Sequence, residues 1–257
     1  MALCLLLILT GCTSPAVKLM QQAESMGFQS LELQGNGFVM QAFHRLPAAS
    51  FTRLHVYLEG DGRPWERGRI PADDPTTRES VMLPLMALDP SPALYLARPC
   101  YNGHAHDLGC HQGLWTQARY GGEVVEAMAQ ALQAFAERHH IREWVLLGHS
   151  GGGSLALLLA NRLAQTRAVV TLAANYDIDV WADHHHYLRL ETSLNPAKQA
   201  DLGLEEWHLL ARNDVTVPPS LFEQALRQRK NSHVQLIEGD HQQGWLAIWP
   251  GLLARLP

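Results

Sequence analysis

A run rich in glycine, Gly148-His149-Ser150-Gly151-Gly152-Gly153, follows an apolar segment at residues 144–147 and precedes an apolar helical segment at residues 154–163. It has the form G-x-S-x-G between a predicted strand and a predicted helix. Glycines two positions to either side of the serine permit a sharp, strained turn, because they carry no Cβ atoms that would clash. The run therefore predicts a strand, a tight turn that exposes the Ser150 hydroxyl, and a helix whose N-terminal N–H groups are free.

The remaining chain alternates between segments typical of strands and segments typical of helices. Strands are predicted at residues 29–34, 38–44, 53–58, 93–97, 144–147, 168–173, 207–211 and 234–237. Helices are predicted at residues 123–139, 154–163, 218–229 and 245–253. Because alternating strands and helices favour parallel pairing, the sequence predicts an α/β fold. Its central sheet is mostly parallel, with helices on both faces and a short cap at residues 175–199.

Composition excludes several other classes of protein. The chain has 257 residues, of which 47% are hydrophobic and 18% charged, as in ordinary globular domains. Its formal net charge of −5 argues against a broad nucleic-acid-binding surface. No apolar stretch reaches the roughly 18 residues that a membrane-spanning helix needs.

Two residues downstream of the glycine run can complete a catalytic triad with Ser150. His241 follows the last predicted strand, and Asp214 follows the strand before it. Both loops are expected at the carboxyl edge of the sheet, where Ser150 also lies. The sequence thus predicts Ser150 as nucleophile, His241 as base and Asp214 as acid. Asp177 and Asp179, which follow an earlier strand, are the alternative acids.

An oxyanion hole needs two backbone donors near the nucleophile. The first is predicted to be the N–H of Gly151, directly after Ser150. The second is expected from the loop Glu59-Gly60-Asp61-Gly62 after the third strand, with the N–H of Asp61 favoured and that of Gly60 as the alternative. A carboxylate beside a negative intermediate is unfavourable, so the Asp61 side chain is expected to point away from the oxyanion.

Taken together, these residues resemble the α/β-hydrolase superfamily over nearly all of the chain after residue 12. A closer resemblance is to a group of proteobacterial α/β-hydrolase-like lipoproteins. It rests on the glycine run and on Tyr57-Leu58-Glu59-Gly60-Asp61-Gly62 with Trp65, Arg98-Pro99-Cys100, Trp115, Arg119-Tyr120 and Ser193-Leu194-Asn195-Pro196. The resemblance implies the fold and hydrolytic machinery, but it names no substrate.

The N-terminal residues have the pattern of an export signal. An apolar run at residues 2–9 ends in Leu9-Thr10-Gly11-Cys12, which resembles the lipobox of bacterial lipoproteins. This resemblance implies a signal peptide at residues 1–11, lipidation of Cys12 and a single domain at residues 12–257. With Thr13 rather than Asp after the cysteine, we expect anchoring in the outer membrane, facing the periplasm. The alternative is a buried N-terminal strand with a free cysteine.

Export also bears on the two later cysteines. Cys100 and Cys110 are an even pair, and in an oxidising compartment they are predicted to form a disulfide. The alternative is a metal site with the nearby histidines, but no recognised ligand spacing is present, and no metal is predicted. The triplet His184-His185-His186 is interpreted as part of a surface or lid segment.

The hypothesis that follows is a serine hydrolase that cleaves a carboxylic ester of a small molecule through an acyl-enzyme, without cofactors or nucleic acid. The alternative is a catalytically silent lipoprotein that uses the fold as an interaction module. Arg98 and Arg119 are interpreted as structural ion-pair partners rather than ligands for a substrate carboxylate. Trp181 and Leu188 are expected in either the substrate pocket or the core.

Overall fold

The computed structural model describes residues 13–257, which contain ten strands and seven α-helices. The strands are β1 (Gln29–Gly35), β2 (Phe38–Arg45), β3 (Arg53–Leu58), β4 (Trp65–Glu66), β5 (Ile70–Pro71), β6 (Ala93–Leu96), β7 (Glu143–His149), β8 (Thr166–Leu172), β9 (Glu205–Ala211) and β10 (Ser232–Ile237). The helices are α1 (Pro15–Ser25), α2 (Met82–Ala87), α3 (Gly122–His139), α4 (Gly151–Ala160), α5 (Ile178–His184), α6 (Pro219–Arg227) and α7 (Trp245–Leu253).

Eight of these strands form one sheet in the order β1-β2-β6-β3-β7-β8-β9-β10. The pairs β1–β2 and β2–β6 are antiparallel, and every pair from β6 to β10 is parallel. The hairpin between β1 and β2 turns at Asn36 and Gly37, whose φ angles are 46° and 82°, as a tight hairpin turn requires. The predicted mostly parallel sheet with helices on both faces is confirmed.

The centre of the sheet is fully covered, which explains why its strands read as apolar runs rather than as alternating patterns. All four residues of β6 are buried, as are six of the seven in β7. Helix α4, buried at all ten positions, contacts β7 and β8. Burial of α4 on every side fixes the turn that precedes it against the carboxyl edge of the sheet.

Helix α4 begins at Gly151, three residues before the predicted start, because the turn at Ser150 leads directly into it. Elements α1, α2, β4 and β5 were not predicted, and α5 lies in the segment that was predicted only as a cap. Helix α1 carries the usual start signal: Ser14 caps it by accepting a hydrogen bond from the N–H of Val17, and Pro15 is its first residue. The other three elements are at most six residues long and too short to show a period.

Cys100 and Cys110 form the predicted disulfide, with their Cα atoms 5.6 Å apart. Cys12 and residues 1–11 lie outside the described residues, so the lipidation site stays a prediction. None of the helices within residues 13–257 combines the length and the apolar character needed to cross a bilayer.

Candidate active site

Ser150 lies at the strained turn between β7 and α4. Its φ of 51° and ψ of −122° are unusual for a residue with a side chain. The turn is this tight because glycines flank it: a Cβ on Gly148 would overlap the backbone of Gly152, and one on Gly152 would overlap the carbonyl of Leu58. The N–H of Ser150 donates to the Leu172 carbonyl at 2.7 Å, which ties the turn to β8.

His241 and Asp214 meet at the same edge of the sheet. The Nδ1–H of His241 donates to Oδ2 of Asp214 at 2.8 Å. The other oxygen of Asp214 accepts the N–H groups of Thr216 and Val217, each at 2.8 Å, and the carboxylate is fully buried. Because the Asp214 carboxylate accepts a hydrogen bond from Nδ1, a neutral His241 ring carries its proton on Nδ1 and presents Nε2 as a proton acceptor.

Ser150 and His241 line the same cavity, which opens at the carboxyl edge of the sheet. Within residues 13–257 the hydrogen bonds do not include one between the Ser150 hydroxyl and the His241 ring. Such bonds are often long without substrate and tighten in the complex. The structure thus brings the histidine and the aspartate into contact and places the serine on the same cavity wall.

The two alternative acids are occupied elsewhere. Asp177 caps α5 by accepting the N–H groups of Asp179 and Val180, and it also accepts a hydrogen bond from Asn195 at 2.7 Å. Asp179 forms an ion pair with Lys198 at 2.6 Å. Of the candidate acids, Asp214 is the one whose carboxylate contacts the imidazole of His241.

The loop at residues 59–62, called the oxyanion loop below, lies against the Ser150 turn. A Cβ on Gly60 would lie 3.5 Å from the Cβ of Ser150. The N–H of Gly60 donates to Oε1 of its neighbour Glu59 at 3.2 Å. The backbone N–H groups of Asp61 and Gly151 have no such acceptor among the described residues, which favours them over Gly60 as oxyanion donors.

The side chain of Asp61 lies beside the Ser150 turn, and its orientation relative to an oxyanion stays a prediction. Its carboxylate lies against the Cα of Gly151 and is held by Arg98 and Arg119, each at 2.8 Å, and by the Tyr120 hydroxyl at 2.7 Å. Burial alone would raise the pKa of Asp61, but the two guanidinium charges outweigh it and hold that pKa well below its usual value. Two cations therefore offset the one anion beside Gly151.

Both arginines are thus structural ion-pair partners, as the sequence interpretation favoured. Tyr120 was not assigned a role in this cluster from the sequence. No local pattern indicates its contact with Asp61, because the two residues are separated by 59 positions and meet only in the folded chain.

His149 connects the Ser150 turn with the His241 loop, a role that the sequence analysis did not assign. Its Nε2–H donates to the backbone carbonyl of His241 at 2.7 Å, and its Nδ1 lies 4.0 Å from Oε1 of Glu59. Burial lowers the pKa of His149 to about 3, and the nearby His241 adds to the shift. The ring therefore stays neutral and acts as a fixed spacer between two loops.

The cavity beside Ser150 has a volume of about 760 Å³. Its apolar lining residues are Pro64, Trp65, Trp181, Tyr187, Leu188 and Leu190. Four of these six belong to residues 175–199, the cap segment. Trp181 is anchored through its indole N–H, which donates to the Thr216 carbonyl at 2.8 Å, whereas the Leu188 side chain is 82% exposed. Both residues line the cavity, and Trp181 also packs in the buried core, so both predicted environments apply to it.

The comparisons with known proteins agree with this architecture. A family model described as lipase (class 3) matches residues 93–180. No curated protein sequence matches the chain. An esterase of Pyrococcus furiosus is similar in structure, with a TM-score of 0.63, 9% identity, and coverage of 95% of this chain and 93% of its own.

Two peptidases are also similar in structure. A puromycin-hydrolyzing peptidase of Mycobacterium tuberculosis has a TM-score of 0.60 and 16% identity, over 88% of this chain and 37% of its own. An acylaminoacyl peptidase of Pyrococcus horikoshii has a TM-score of 0.57 and 11% identity. This chain covers 37% of that peptidase. The chain thus has the α/β-hydrolase fold.

Proposed function

We propose that this protein is a serine hydrolase that cleaves carboxylic esters, with Ser150, His241 and Asp214 as its triad. The observation that carries the proposal is the hydrogen bond from His241 to the buried Asp214 carboxylate, because the His241 ring lines the same cavity as Ser150. A second support is the strained backbone at Ser150, since such strain persists at functional sites where the surroundings enforce it.

In the proposed reaction, the Ser150 hydroxyl oxygen attacks the ester carbonyl carbon while Nε2 of His241 takes its proton. The negative charge that develops on the carbonyl oxygen is held by the N–H groups of Gly151 and Asp61. When the ester bond breaks, His241 gives the proton to the departing alcohol. A water molecule, deprotonated by His241, then attacks the acyl-enzyme, and the acid leaves as Ser150 regains its proton.

A fluorophosphonate probe tests this proposal because it reacts with an activated serine. Wild type and Ser220→Ala, which changes an exposed serine in α6, are expected to be labelled, and Ser150→Ala is expected to stay unlabelled. Labelling of Ser150→Ala equal to that of wild type would refute the proposal. Matched ester and amide substrates then separate an esterase from a peptidase, and we expect ester cleavage to be faster.

We also propose that the protein is anchored by a lipid on Cys12 to the outer membrane and faces the periplasm. The lipobox-like sequence supports this location, and the Cys100–Cys110 disulfide is consistent with an oxidising compartment. Cells fed a fatty-acid analogue should label wild type and not Cys12→Ala. Equal labelling of the two proteins would rule out this anchor.

A further inference from the structure

One peptide group links the cap segment to the acid of the proposed triad. The carbonyl of Thr216 and the N–H of Val217 belong to the same peptide group, whose atoms lie in one plane. That carbonyl accepts the indole N–H of Trp181 and the Nε2–H of His185, each at 2.8 Å. The N–H of Val217 donates to Oδ1 of Asp214, also at 2.8 Å. Because the peptide group is rigid, the position of its carbonyl also sets the direction of the N–H that holds Asp214.

The Asp214 carboxylate takes its orientation from the backbone around this peptide group. It lies in the connection between β9 and α6, where the neighbouring Val215 has its side chain in solvent. Its Oδ1 atom accepts the N–H groups of Thr216 and Val217, and this leaves Oδ2 to accept the Nδ1–H of His241. A shift of the peptide group would therefore turn Oδ2 away from the imidazole.

Trp181 lies on the well-packed part of the cap segment. It belongs to α5, in which Ile178 and Ala182 are also buried. Asp177 caps this helix with its side chain, and its carbonyl accepts the backbone N–H of Trp181 at 3.0 Å. The indole of Trp181 lines the same cavity as Ser150. A single anchored side chain thus borders the space for substrate and holds the backbone that orients the acid.

We propose that Trp181 is a positioning residue of the triad: its indole N–H fixes the peptide group of Thr216 and Val217, so that Asp214 stays in contact with His241. This inference rests on the proposed hydrolase function and deepens it, because it gives the cap segment a part in activating the nucleophile. Small displacements of catalytic groups are costly in rate, so a side chain that prevents them should affect kcat more than KM.

Trp181→Phe tests the proposal because it keeps an aromatic ring in the cavity lining and removes the bond to Thr216. We expect kcat for a p-nitrophenyl ester to fall roughly tenfold, the size of one hydrogen bond, with KM changed by no more than about threefold. His185 still holds the Thr216 carbonyl in this variant, so the loss stays far below the loss expected when the acid itself is replaced.

The matched control is Trp115→Phe. The indole N–H of Trp115 also donates to a backbone carbonyl, that of Ala72 at 3.1 Å, and Trp115 is buried. It is not part of the cavity lining, so kcat and KM should match those of wild type. Each variant loses one buried indole hydrogen bond, so a difference in kcat between them does not come from that loss alone.

The proton on Nδ1 of His241 supplies a second readout, which needs no substrate. An imidazole N–H that donates to a carboxylate gives a proton NMR signal at low field, and His241→Gln identifies the signal by removing it. In Trp181→Phe this signal should move upfield or broaden, because Asp214 no longer accepts the bond in one fixed geometry. Trp115→Phe should leave the signal where wild type has it.

Each outcome has a defined meaning. If Trp181→Phe raises KM but leaves kcat and the NMR signal unchanged, Trp181 only packs against substrate and the positioning proposal is wrong, while the hydrolase proposal stands. If Trp115→Phe lowers kcat and changes the signal as much as Trp181→Phe does, the effect is a general loss of stability, and the proposal is again wrong. If Trp181→Phe alone changes the signal but wild type neither reacts with a fluorophosphonate nor cleaves esters, the hydrolase proposal fails and the control of Asp214 by Trp181 stands.

Discussion

The two halves of the cavity are held in very different ways. On one side, the oxyanion loop is fixed by buried charges: Arg98 and Arg119 are 4% and 5% exposed, and both contact Asp61. On the other side, the cap segment carries side chains such as Leu188 in solvent. Its ion pair between Arg189 and Asp183 is also exposed.

This contrast indicates that the two halves of the cavity have different roles in the proposed enzyme. Groups that stabilise a developing charge work best when they are already oriented before the reaction. The fixed half, which comprises the Ser150 turn, the oxyanion loop and Asp214, has that property. The exposed ion pair and the exposed side chains at residues 183–189 leave this part of the cap segment free to adapt to a substrate. Substitutions in the fixed half should therefore lower kcat, and those of exposed side chains in this part of the cap segment should mainly change KM.

The sharpest comparison uses one aspartate from each half. Asp214→Asn should lower kcat by about 10⁴, because an amide no longer holds the proton on Nδ1 of His241 and the imidazole adopts the wrong tautomer. Asp177→Asn, in the cap segment, should keep most of the activity. Initial rates on a p-nitrophenyl ester measure both. If Asp177→Asn lowers kcat strongly and Asp214→Asn keeps most of the activity, the acid of the triad comes from the cap segment instead.

A pair of arginines gives the next largest difference. Arg119→Gln removes one of the two cations that orient Asp61, so the Asp61 N–H loses its fixed position and kcat should fall by roughly 10². Arg189→Gln breaks only the exposed ion pair with Asp183 and should change kcat little. Steady-state kinetics measure both variants. If Arg119→Gln raised KM and left kcat unchanged, the assignment of kcat effects to the fixed half would be wrong.

Some of the contacts behind these predictions can be predicted from the sequence, and others cannot. The strands, the Ser150 turn and the order of Ser150, Asp214 and His241 could be predicted, because apolar periodicity and the glycine run are local signals. The contacts of the Asp61 carboxylate could not, because they involve Arg98, Arg119 and Tyr120 from distant parts of the chain. The same reason hid the role of His149, whose backbone is next to Ser150 but whose side-chain partners are set by tertiary packing.

His149 joins the Ser150 turn to His241, and its titration should make the free energy of unfolding depend on pH. Its pKa of about 3 in the folded protein lies below the ordinary 6.5, so below pH 6.5 the unfolded chain binds a proton that the folded protein does not. The stability that comes from neutral His149 is complete above pH 6.5 and is lost as the pH falls toward 3.

His149→Gln keeps an N–H donor but cannot titrate. The difference in unfolding free energy between wild type and this variant should therefore shrink by about 1.4 kcal/mol per pH unit between about pH 6 and pH 4. Urea unfolding at several pH values measures it. A constant difference across this range would mean that His149 is charged in the folded protein.

The smallest expected effect lies in the cap segment. Leu188→Ser should raise KM for long-chain esters a few-fold, since less apolar surface is buried against the acyl chain, and should leave kcat unchanged. Leu108→Ser changes a side chain that is 97% exposed and is not part of the cavity lining, and it should have no effect. A chain-length series is the measurement, and a drop in kcat for Leu188→Ser would show that the cap segment takes part in the chemistry.

The central claim is that Ser150 and His241 act as one unit, and a double-mutant cycle tests it most directly. Ser150→Ala and His241→Ala should each lower kcat by several orders of magnitude, up to about 10⁶, with the fold intact by circular dichroism. The double variant should lose little more than either single variant, because removing one member already disables the other. If the two losses multiply instead, the residues do not share one mechanism, and the proposed triad is wrong.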